Sequence, residues 1–401
     1  MPSLRRQTVT RARKAWTRVA FGNVVRQVKE KVDPLEDGIE RYVAGEHMQT
    51  DDVRIRSWGL VGDGYLGPAF HTRFRPGQVL YGSRRTYLRK VAVPDFEGVC
   101  ANTTFVMEPK DPQALLPNLL PFLMQTEEFH KHAIEKSKGS VNPYVNFSDI
   151  ATFEFDLPPL DEQQQLAAAL ATCDTAMVTL EDLDKCVRAV GSSLFERAFA
   201  STTRLAPLAD LLSRDIQYGS STRANSDGRG VPMLRIPNVL RGHLDSSDLK
   251  WVELPKAEIN KYSVSEGDVL VVRTNGNPEY VARGTAIPQL AVRTVFASYL
   301  LRLTPDARKI TSTYLAGAIA TPRVRRHLAA SIRSSAGNFN INAQDLGNVE
   351  IPWPEIQDQR ALEDRLAPLA DARGSIAARQ TSHRRVKACL LRTLIGEVEN
   401  A

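Results

Sequence analysis

The sequence repeats itself once, and this repeat constrains the fold more than any other feature. Residues 155–166, FDLPPLDEQQQL, resemble residues 351–362, IPWPEIQDQRAL, at an offset of 196 residues. The other matches keep the same order along the chain: Asn142 with Asn338, Asn146 with Asn342, Asp149 with Asp345, Ile150 with Leu346, residues 101–109 with 297–305 and, at an offset of 190, residues 75–85 with 265–275. Ordered matches of this kind predict two copies of one module, with loops of different length.

Each copy begins with a mixed α/β module. Four β-branched, apolar segments bounded by glycine or proline predict strands, at residues 77–82, 99–107, 268–274 and 295–303. Residues 115–137 and 311–332 have the apolar spacing of helices. Because proline breaks a helix, Pro121 and Pro322 predict two short helices in each of these stretches.

A long helix follows each module. After Pro158 and Pro159 no proline occurs up to Ala200, and apolar residues recur every three or four positions, which is typical of a coiled-coil seam. The predicted seam of the first helix consists of Leu166, Leu170, Cys173, Met177, Leu180, Leu183, Val187, Val190 and Leu194. The predicted seam of the second helix consists of Leu362, Leu366, Leu369, Ile376, Val386 and Leu390, with polar interruptions at Arg373 and His383.

Two such helices can bury their seams against each other. The predicted fold is therefore α+β, with two similar α/β domains separated by two long helices that form an antiparallel coiled coil, an internal pseudo-two-fold repeat. The predicted boundaries are residues 1–156, 157–203, 204–350 and 351–401. A helix over residues 160–200 would be about 60 Å long and would hold the two domains apart. The alternative is that each helix folds back onto its own module.

The charge balance allows a polyanionic partner. The chain has 52 Lys and Arg against 46 Asp and Glu, a net charge of +6. Two similar but unlike domains on a spacer suit a partner with two sites at a fixed separation, and half-sites on one face of double-stranded DNA recur about every 34–36 Å. The sequence therefore predicts an asymmetric, bipartite DNA site.

At this point the residues resemble a known family. LPPLDEQQQLAAALATCDTAMVTLEDL (157–183) and IPWPEIQDQRALEDRL (351–366) resemble the two long helices of specificity subunits of type I restriction-modification systems. Residues 77–93 and 267–278 resemble strand-and-loop pieces of that family's target recognition domains. The resemblance implies a non-catalytic subunit that reads a split DNA site, seats two adenine-N6 methyltransferase subunits and can be joined by two restriction subunits. It implies no cofactor in this chain, with S-adenosylmethionine, ATP and Mg²⁺ in the partner subunits. The four cysteines, whose spacing indicates neither a disulfide framework nor a zinc site, predict reduced thiols and a cytoplasmic protein.

Two loops are the candidate DNA-reading elements, because Arg, Asn and Lys can match the hydrogen-bonding pattern of bases in the major groove. In the first domain the candidates are Arg84, Arg85, Tyr87, Arg89 and Lys90, and in the second domain they are Arg273, Thr274, Asn275, Asn277 and Arg283. Asn275 and Asn277 have an alternative role in forming a turn. We expect the outward residues near Leu160 and Ile356, at the two helix starts, to contact the methyltransferase subunits.

Some other polar residues are expected to have structural roles, and for the rest the sequence allows several roles. Asn146 and Asn342 precede short helical segments and are predicted to cap them. The basic cluster RVRRH at 323–327 is predicted to be a solvated helix face. Arg379, Arg384, Arg385 and Lys387 near the chain end have three alternatives, which are DNA contact, partner contact and solvation. The basic residues Arg5, Arg6, Arg11, Arg13, Lys14 and Arg18 could form a transit peptide, a nucleic-acid-binding arm or a solvated extension.

Catalytic interpretations find less support. VNPYV at 141–145 lacks one proline of the Asn-Pro-Pro-aromatic motif of adenine methyltransferases, and no P-loop pattern occurs. Asp95, Glu108 and Lys110 resemble the Mg²⁺-binding set of a nuclease, but Pro109 interrupts the segment and the second copy lacks it. No metal site is predicted, because the four cysteines have no C-x-x-C spacing. The alternatives to the family assignment are a stand-alone bipartite DNA-binding protein and an Mg²⁺-dependent nuclease.

Overall fold

The computed structural model describes residues 16–200, 204–240, 242–335 and 337–396. The chain divides into two compact units. The first consists of Met1–Leu180 with Ala378–Ala401, and the second of Glu181–Ala377. Each unit therefore contains one of the two α/β domains, which we call a head from here on, and the adjoining part of both long helices. Of the basic segment at residues 1–18, residues 1–15 lie outside the described residues, whereas Arg18 lies in the first strand. No described helix has an apolar stretch long enough to span a bilayer.

The first unit contains the elements up to the first half of the central helix. In chain order they are β1 Thr17–Ala20, α1 Phe21–Val24, β2 Val25–Val28, β3 Arg41–Val43, β4 Gly59–Leu60, β5 Phe70–Phe74, β6 Val79–Gly82, β7 Val91–Ala92, β8 Gly98–Ala101, β9 Thr104–Pro109, α2 Leu120–Leu123, α3 Glu127–Glu135, α4 Phe147–Ile150, β10 Glu154–Leu157 and α5 Leu160–Ala200.

The second unit begins inside α5 and ends inside the last helix. Its further elements are β11 Leu205–Pro207, β12 Gln217–Tyr218, β13 Val231–Leu234, α6 Ile236–Val239, β14 Lys250–Val252, α7 Lys256–Tyr262, β15 Val269–Val272, β16 Thr274–Asn275, β17 Gly284–Ala286, β18 Val295–Phe296, β19 Leu300–Leu303, α8 Ser312–Ala320, α9 Pro322–Ser331, β20 Arg333–Ser335, β21 Asn338–Asn340, α10 Ala343–Gly347, β22 Glu350–Pro352 and α11 Ile356–Leu394.

The two heads share most of their strand topology, although the first has the additional strand β5, paired with β8, and the second has the additional sheet β16-β21-β20. One sheet has the order β2-β9-β6-β7 in the first unit and β12-β19-β15-β17 in the second. Beside it, β3 pairs with β4 antiparallel and with β8 parallel, as β13 does with β14 and β18. A two-stranded ribbon closes each head, β1 with β10 and β11 with β22. The α+β fold with an internal repeat is therefore confirmed.

The central strands of both heads alternate between two cores, because successive side chains of a strand point to opposite faces. In β6, Val79 and Tyr81 face the core that contains the helices, and Leu80 faces the core shared with the neighbouring sheet. In β15, Val269 and Val271 face the helical core, and Leu270 and Val272 face the other sheet. Each head is thus a layer of helices on two sheets.

The prolines divide the helical stretches as predicted. In the first head, α2 with Pro121 near its start is followed by α3, which Thr126 caps. In the second head, α8 is followed by α9, which begins at Pro322. Proline is tolerated in the first turn of a helix because the N–H it lacks there has no intrahelical acceptor.

The two long helices pack against each other in an antiparallel arrangement within each unit. In the first unit, Leu166 and Leu170 of α5 share the head's core with Leu390 and Leu394 of α11. In the second unit, residues near the end of α5, including Phe195, share the other head's core with Leu362 and Leu366 near the start of α11. The two sequence alternatives are therefore combined: the helices pair, and each pair also forms part of a head.

The positions at which the two long helices face each other recur every three or four residues, and some of these inward positions hold polar residues. In the first unit, Lys387 Nζ lies 2.7 Å from Asp174 Oδ1, with both side chains about one-sixth exposed. In the second unit, Arg373 Nε donates to Asp184 Oδ1 at 3.1 Å. Val386 is 47% exposed, so its prediction as a seam residue is wrong. The physical reason is that the neighbouring Lys387 takes the inward position and is neutralised by Asp174.

Two more residues named from the apolar spacing lie outside the seam. Leu183 and Val190 are 47% and 51% exposed, while the inward positions next to them hold Asp184 and Gly191. A Cβ on Gly191 would lie 3.8 Å from the side chains of Leu366 and Leu369, which is ordinary contact. The other predicted seam residues are buried or half-buried.

A buried glutamine joins each head to the start of its long helix. In the first unit, Gln163 Nε2 donates to the carbonyls of Ala114 (2.9 Å) and Pro158 (2.8 Å), and its Oε1 accepts from the N–H of Leu116 at 2.9 Å. The amide group thus satisfies two carbonyls and one N–H that the fold removes from water.

The second unit repeats this junction at the offset of 196 residues. Gln359 Nε2 donates to the carbonyls of Lys309 (2.8 Å) and Pro354 (2.9 Å), and its Oε1 accepts from the N–H of Thr311 at 2.9 Å. Both glutamines are almost fully buried. Repetition of a three-bond network at matching positions indicates that this junction defines how helix and head join.

We predict that Gln163→Leu and Gln359→Leu each lower the free energy of unfolding by at least about 2 kcal/mol, because buried backbone groups lose their partners. Urea unfolding measured for each variant tests this. Gln164→Leu is the matched control, since Gln164 is exposed on the next position of the same helix and should leave the midpoint unchanged. Equal effects of Gln163→Leu and Gln164→Leu would contradict the role of the junction.

Candidate nucleic-acid interface

Each head carries a ridge formed by the predicted reading loop and a later segment that pairs with it. We define the first ridge as residues 82–90 and 137–146, and the second as residues 273–283 with 332–335 and 337–342. In the first ridge, Tyr144 bridges to both Arg84 and Lys138. In the second, β21 pairs with both β16 and β20. The same backbone frame therefore presents both loops.

Further bonds fix the two ridges in the same way. The N–H of Val145 donates to the carbonyl of Ser83 at 3.0 Å, and the N–H of Ile341 donates to that of Arg273 at 3.0 Å. Two charged pairs also correspond, Lys138 with Asp149 at 3.0 Å and Arg333 with Asp345 at 3.4 Å. Asn342 caps α10 through the N–H of Asp345, as predicted. At Asn146 the backbone N–H donates to Asp149 Oδ2 at 2.9 Å.

The first reading loop contains two strained arginines. Arg85 and Arg89, on either side of a helical turn at Thr86–Leu88, both have φ of 52°. A left-handed conformation at such residues costs on the order of 1–2 kcal/mol. For Arg85 this is offset by bonds to the later segment: its N–H donates to the carbonyl of Pro143 (2.6 Å) and its Nε to Asn142 Oδ1 (2.7 Å). The VNPYV segment at 141–145 is thus part of the ridge and holds the reading loop in place. This structural role explains its residues without a methyltransferase motif.

Arg89 is held by acidic side chains within the head. Its Nε donates to Asp51 Oδ1 at 2.8 Å, and its guanidinium also pairs with Glu127. Burial lowers the pKa of Arg89, but the bonds to Glu127 and Asp51 outweigh this and raise it. Lys90 Nζ donates to the carbonyl of Gly45. Both residues therefore have intramolecular partners that fix the loop.

Three residues of the first loop face solvent, and one of them, Arg85, is already bonded to Asn142. Tyr87 is 53% exposed, and the exposed guanidinium of Arg84 lies 6.0 Å from the centre of the Tyr144 ring. Because cation and ring lie side by side, this part of the ridge can offer both a hydrogen-bond donor and a flat apolar surface to a base. Of the five residues predicted for this loop, Arg84 and Tyr87 are best placed to contact a ligand.

The second reading loop is organised by asparagine turns. Asn275 Oδ1 accepts from the N–H of Asn277, and Asn277 Oδ1 accepts from that of Glu279, both at 2.9 Å. The turn-forming alternative thus describes the geometry of both asparagines. Thr274 lies in β16, and Arg283 is 3.5 Å from Glu279 Oε2 and 5.5 Å from the Tyr280 ring centre.

Arg325 supports this loop from helix α9, a role that the sequence did not indicate. Its guanidinium donates to the carbonyls of Val281, Pro278 (3.3 Å) and Glu279 (3.2 Å). Burial lowers its pKa. The prediction of a solvated face for residues 323–327 is therefore wrong for Arg325, because three carbonyls of a turn replace water around its charge.

Two of the three residues considered for a nuclease, Glu108 and Lys110, form bonds within the first head. Glu108 accepts from Gln78 Nε2 at 2.7 Å and from Arg26 Nε at 2.9 Å. Burial would raise the pKa of Glu108, but these two bonds lower it overall. Lys110 Nζ donates to the carbonyl of Gly22. Within the described ranges, no group of three or more His, Cys, Asp or Glu residues is placed to hold a metal ion.

Comparison with known proteins agrees with the resemblance found in the sequence. The family model described as the type I restriction modification DNA specificity domain matches residues 70–185. The chain is 26% identical over 282 residues to the type I restriction enzyme EcoKI specificity subunit of Escherichia coli K12, covering 64% of this chain and 60% of that protein. It is 22% identical over 384 residues to the type I restriction enzyme MjaVIII specificity subunit of Methanocaldococcus jannaschii, covering 88% and 85%.

The chain spans about 60% of the length of the first curated relatives it matches, with 57% for the StySPI specificity subunit of Salmonella potsdam, at 24% identity and 60% coverage of this chain. A solved structure, a type-I restriction-modification system S subunit from M. genitalium, superimposes with a TM-score of 0.54 at 13% identity, covering 96% of this chain and 97% of that chain. This second likeness supports the fold alone. In sequence, the chain is similar to type I restriction-modification specificity subunits, through the family model over residues 70–185 and through curated relatives at 22–26% identity.

Proposed function

We propose that this chain is the DNA-reading and scaffold subunit of a type I restriction-modification complex. It binds an asymmetric bipartite site in double-stranded DNA and seats two adenine-N6 methyltransferase subunits, which two restriction subunits can join. Catalysis belongs to those subunits, together with S-adenosylmethionine, ATP and Mg²⁺. We place this complex in the cytoplasm.

One observation carries the proposal: the two ridges have the same backbone pairing but different side chains. The ridges share their strand pairing, yet Tyr144 of the first corresponds to Asn340 of the second at the repeat offset. The exposed residues of the two reading loops differ as well. Since bases are distinguished by the donors and acceptors set against them, unlike ridges on equal frames favour two different half-sites.

The helix starts favour two equivalent partner surfaces. Leu160 and Ile356 are each half-buried and each is the first residue of a long helix. Tryptophans lie at both junctions: Trp16 Nε1 donates to Glu162 at 2.9 Å, and Trp353 packs 4.0 Å below the guanidinium of Arg204. The two helix starts match at the repeat offset of 196 residues, and equivalent helix starts suit two copies of one partner.

Methylation mapping tests the proposal directly. We expect adenine methylation at one asymmetric, split motif in a host that expresses this chain with its methyltransferase, and none at that motif without the chain. The assembled complex should co-purify with two methyltransferase subunits per chain. DNA binding without a co-purifying enzyme would instead favour a stand-alone bipartite DNA-binding protein, and a palindromic motif would contradict two unlike readers.

We predict that Arg84→Ala relaxes one half of the motif and Arg283→Ala relaxes the other. A well-placed contact to a base contributes about 1–3 kcal/mol of discrimination, which corresponds to roughly five- to 150-fold. Methylation rates on DNA with one base pair changed in either half measure this effect. Arg308→Ala is the control, because Arg308 lies outside both ridges, is exposed and pairs with Asp306 at 2.9 Å. Equal loss at both halves in either variant would refute the assignment.

We predict that Arg89→Met weakens discrimination in the first half-site through the loop's geometry. Without the guanidinium, Asp51 and Glu127 lose their shared partner and the strained loop loses its support. A positioning residue leaves the salt dependence of DNA binding unchanged, whereas removal of a phosphate contact lowers the slope of log K against log salt by about 1. A lower slope in Arg89→Met would show that Arg89 binds phosphate instead.

A further inference from the structure

A groove in the second unit lies outside both predicted reading loops. It has a volume of about 430 Å³ and runs between the segment from Arg214 to Gly219 and the end of helix α7. Two aromatic rings, Tyr218 and Tyr262, line it, together with the cationic side chains of Arg214 and Lys261. This combination of rings and cations is typical of surfaces that follow a nucleic-acid backbone.

The two cations of the groove carry no ion pair within the part of the chain that the structure describes, and both residues are exposed. Arg302 behind the groove differs, since it lies 3.9 Å from Asp268 and also donates to Gln217, which lines the groove. Burial lowers the pKa of Arg302, Asp268 opposes this, and the charge of Arg214 lowers it further. The groove therefore carries an excess of positive charge that the single acid in its lining, Asp215, does not cancel.

The groove adjoins the second ridge through one side chain. Tyr218 Oη accepts from the N–H of Ala343 at 3.1 Å, next to the cap residue Asn342. The guanidinium of Arg273, a predicted reading residue, lies 5.5 Å from the centre of the Tyr218 ring. Arg273 Nε is buried and has no hydrogen-bond partner within the described residues. At the far wall, Lys261 Nζ lies 5.1 Å from the centre of the Tyr262 ring.

We infer that this groove binds one phosphodiester of DNA, together with its deoxyribose, directly beside the bases contacted by the second ridge. Arg214 offers a planar donor set that matches phosphate oxygens, and Lys261 offers a point charge. The rings of Tyr218 and Tyr262 provide apolar area for the sugar. Contacts to phosphate and sugar set the register of a protein on the duplex without reading sequence. The inference rests on the proposed function and adds the residues that fix the position of the second ridge.

The test is the salt dependence of DNA binding by the full chain in its assembled complex. For the double variant Arg214→Ala with Lys261→Ala, we expect the slope of log K against log salt to fall by about 1, because one phosphate contact is lost. Affinity should fall by the same factor for DNA with the split motif and for unrelated DNA. Both side chains are exposed, so folding should not change.

Arg308→Ala is the matched control in the same unit, since the exposed Arg308 pairs with Asp306 at 2.9 Å and should leave the slope unchanged. An unchanged slope in the double variant, with normal binding by the wild-type complex, overturns this inference and leaves the proposed function standing. A wild-type complex that binds no DNA overturns both.

A second titration separates a phosphate of the DNA strand from a free nucleotide. In this titration, thymidine monophosphate is added to the wild-type complex at concentrations that do not compete with DNA. We expect no saturable binding of the nucleotide to the groove. If it binds the wild-type complex but not the double variant, while the DNA salt slope is the same for both, the groove is a nucleotide site and the inference is wrong.

Discussion

In each unit the head and the long helices share one hydrophobic core, and the position of the reading loop depends on this. Leu170 and Leu394 lie in the same core as Tyr81, the residue directly before the first predicted reading loop, which begins at Gly82. In the second unit, Phe195 and Leu362 lie in the same core as Val271, two residues before Arg273. Because close-packed interiors transmit small displacements, the helix pair fixes the strand that presents each loop.

The repeat made most of the fold predictable from the sequence. A shared offset implies shared topology, and the strand orders of the two heads follow it. The prolines at 121 and 322 and the apolar spacing from Leu160 to Ala200 located the helices, because these features act locally on the backbone. The seam was harder to predict. Apolar side chains led to Val386 and Val190, which are exposed, whereas the inward positions next to them hold Lys387, which Asp174 neutralises, and the small residue Gly191.

The candidate site was predictable only in outline. The two loops predicted to read DNA were chosen because arginine and asparagine follow strands there, and the structure shows how each loop is held. The partners of Arg89, in contrast, lie 38 residues away on either side of it, and Arg325 supports a turn more than 40 residues before it. The groove cations, Arg214 and Lys261, also come from distant segments. Tertiary contacts of this kind decide which predicted cation supports a loop and which faces solvent. Because they leave no periodic pattern in a single sequence, the sequence alone could not predict them.

The charged pairs in the helix seam are a means of setting register. A buried pair contributes little net stability, since desolvation offsets the attraction, but removal of one partner costs on the order of 3–5 kcal/mol. A shift of one heptad would move Lys387 away from Asp174 and leave Asp174, whose Oδ2 is already without a partner, as an isolated buried charge. An all-apolar seam would tolerate that shift far better. The same argument holds in the second unit for Arg373 and Asp184.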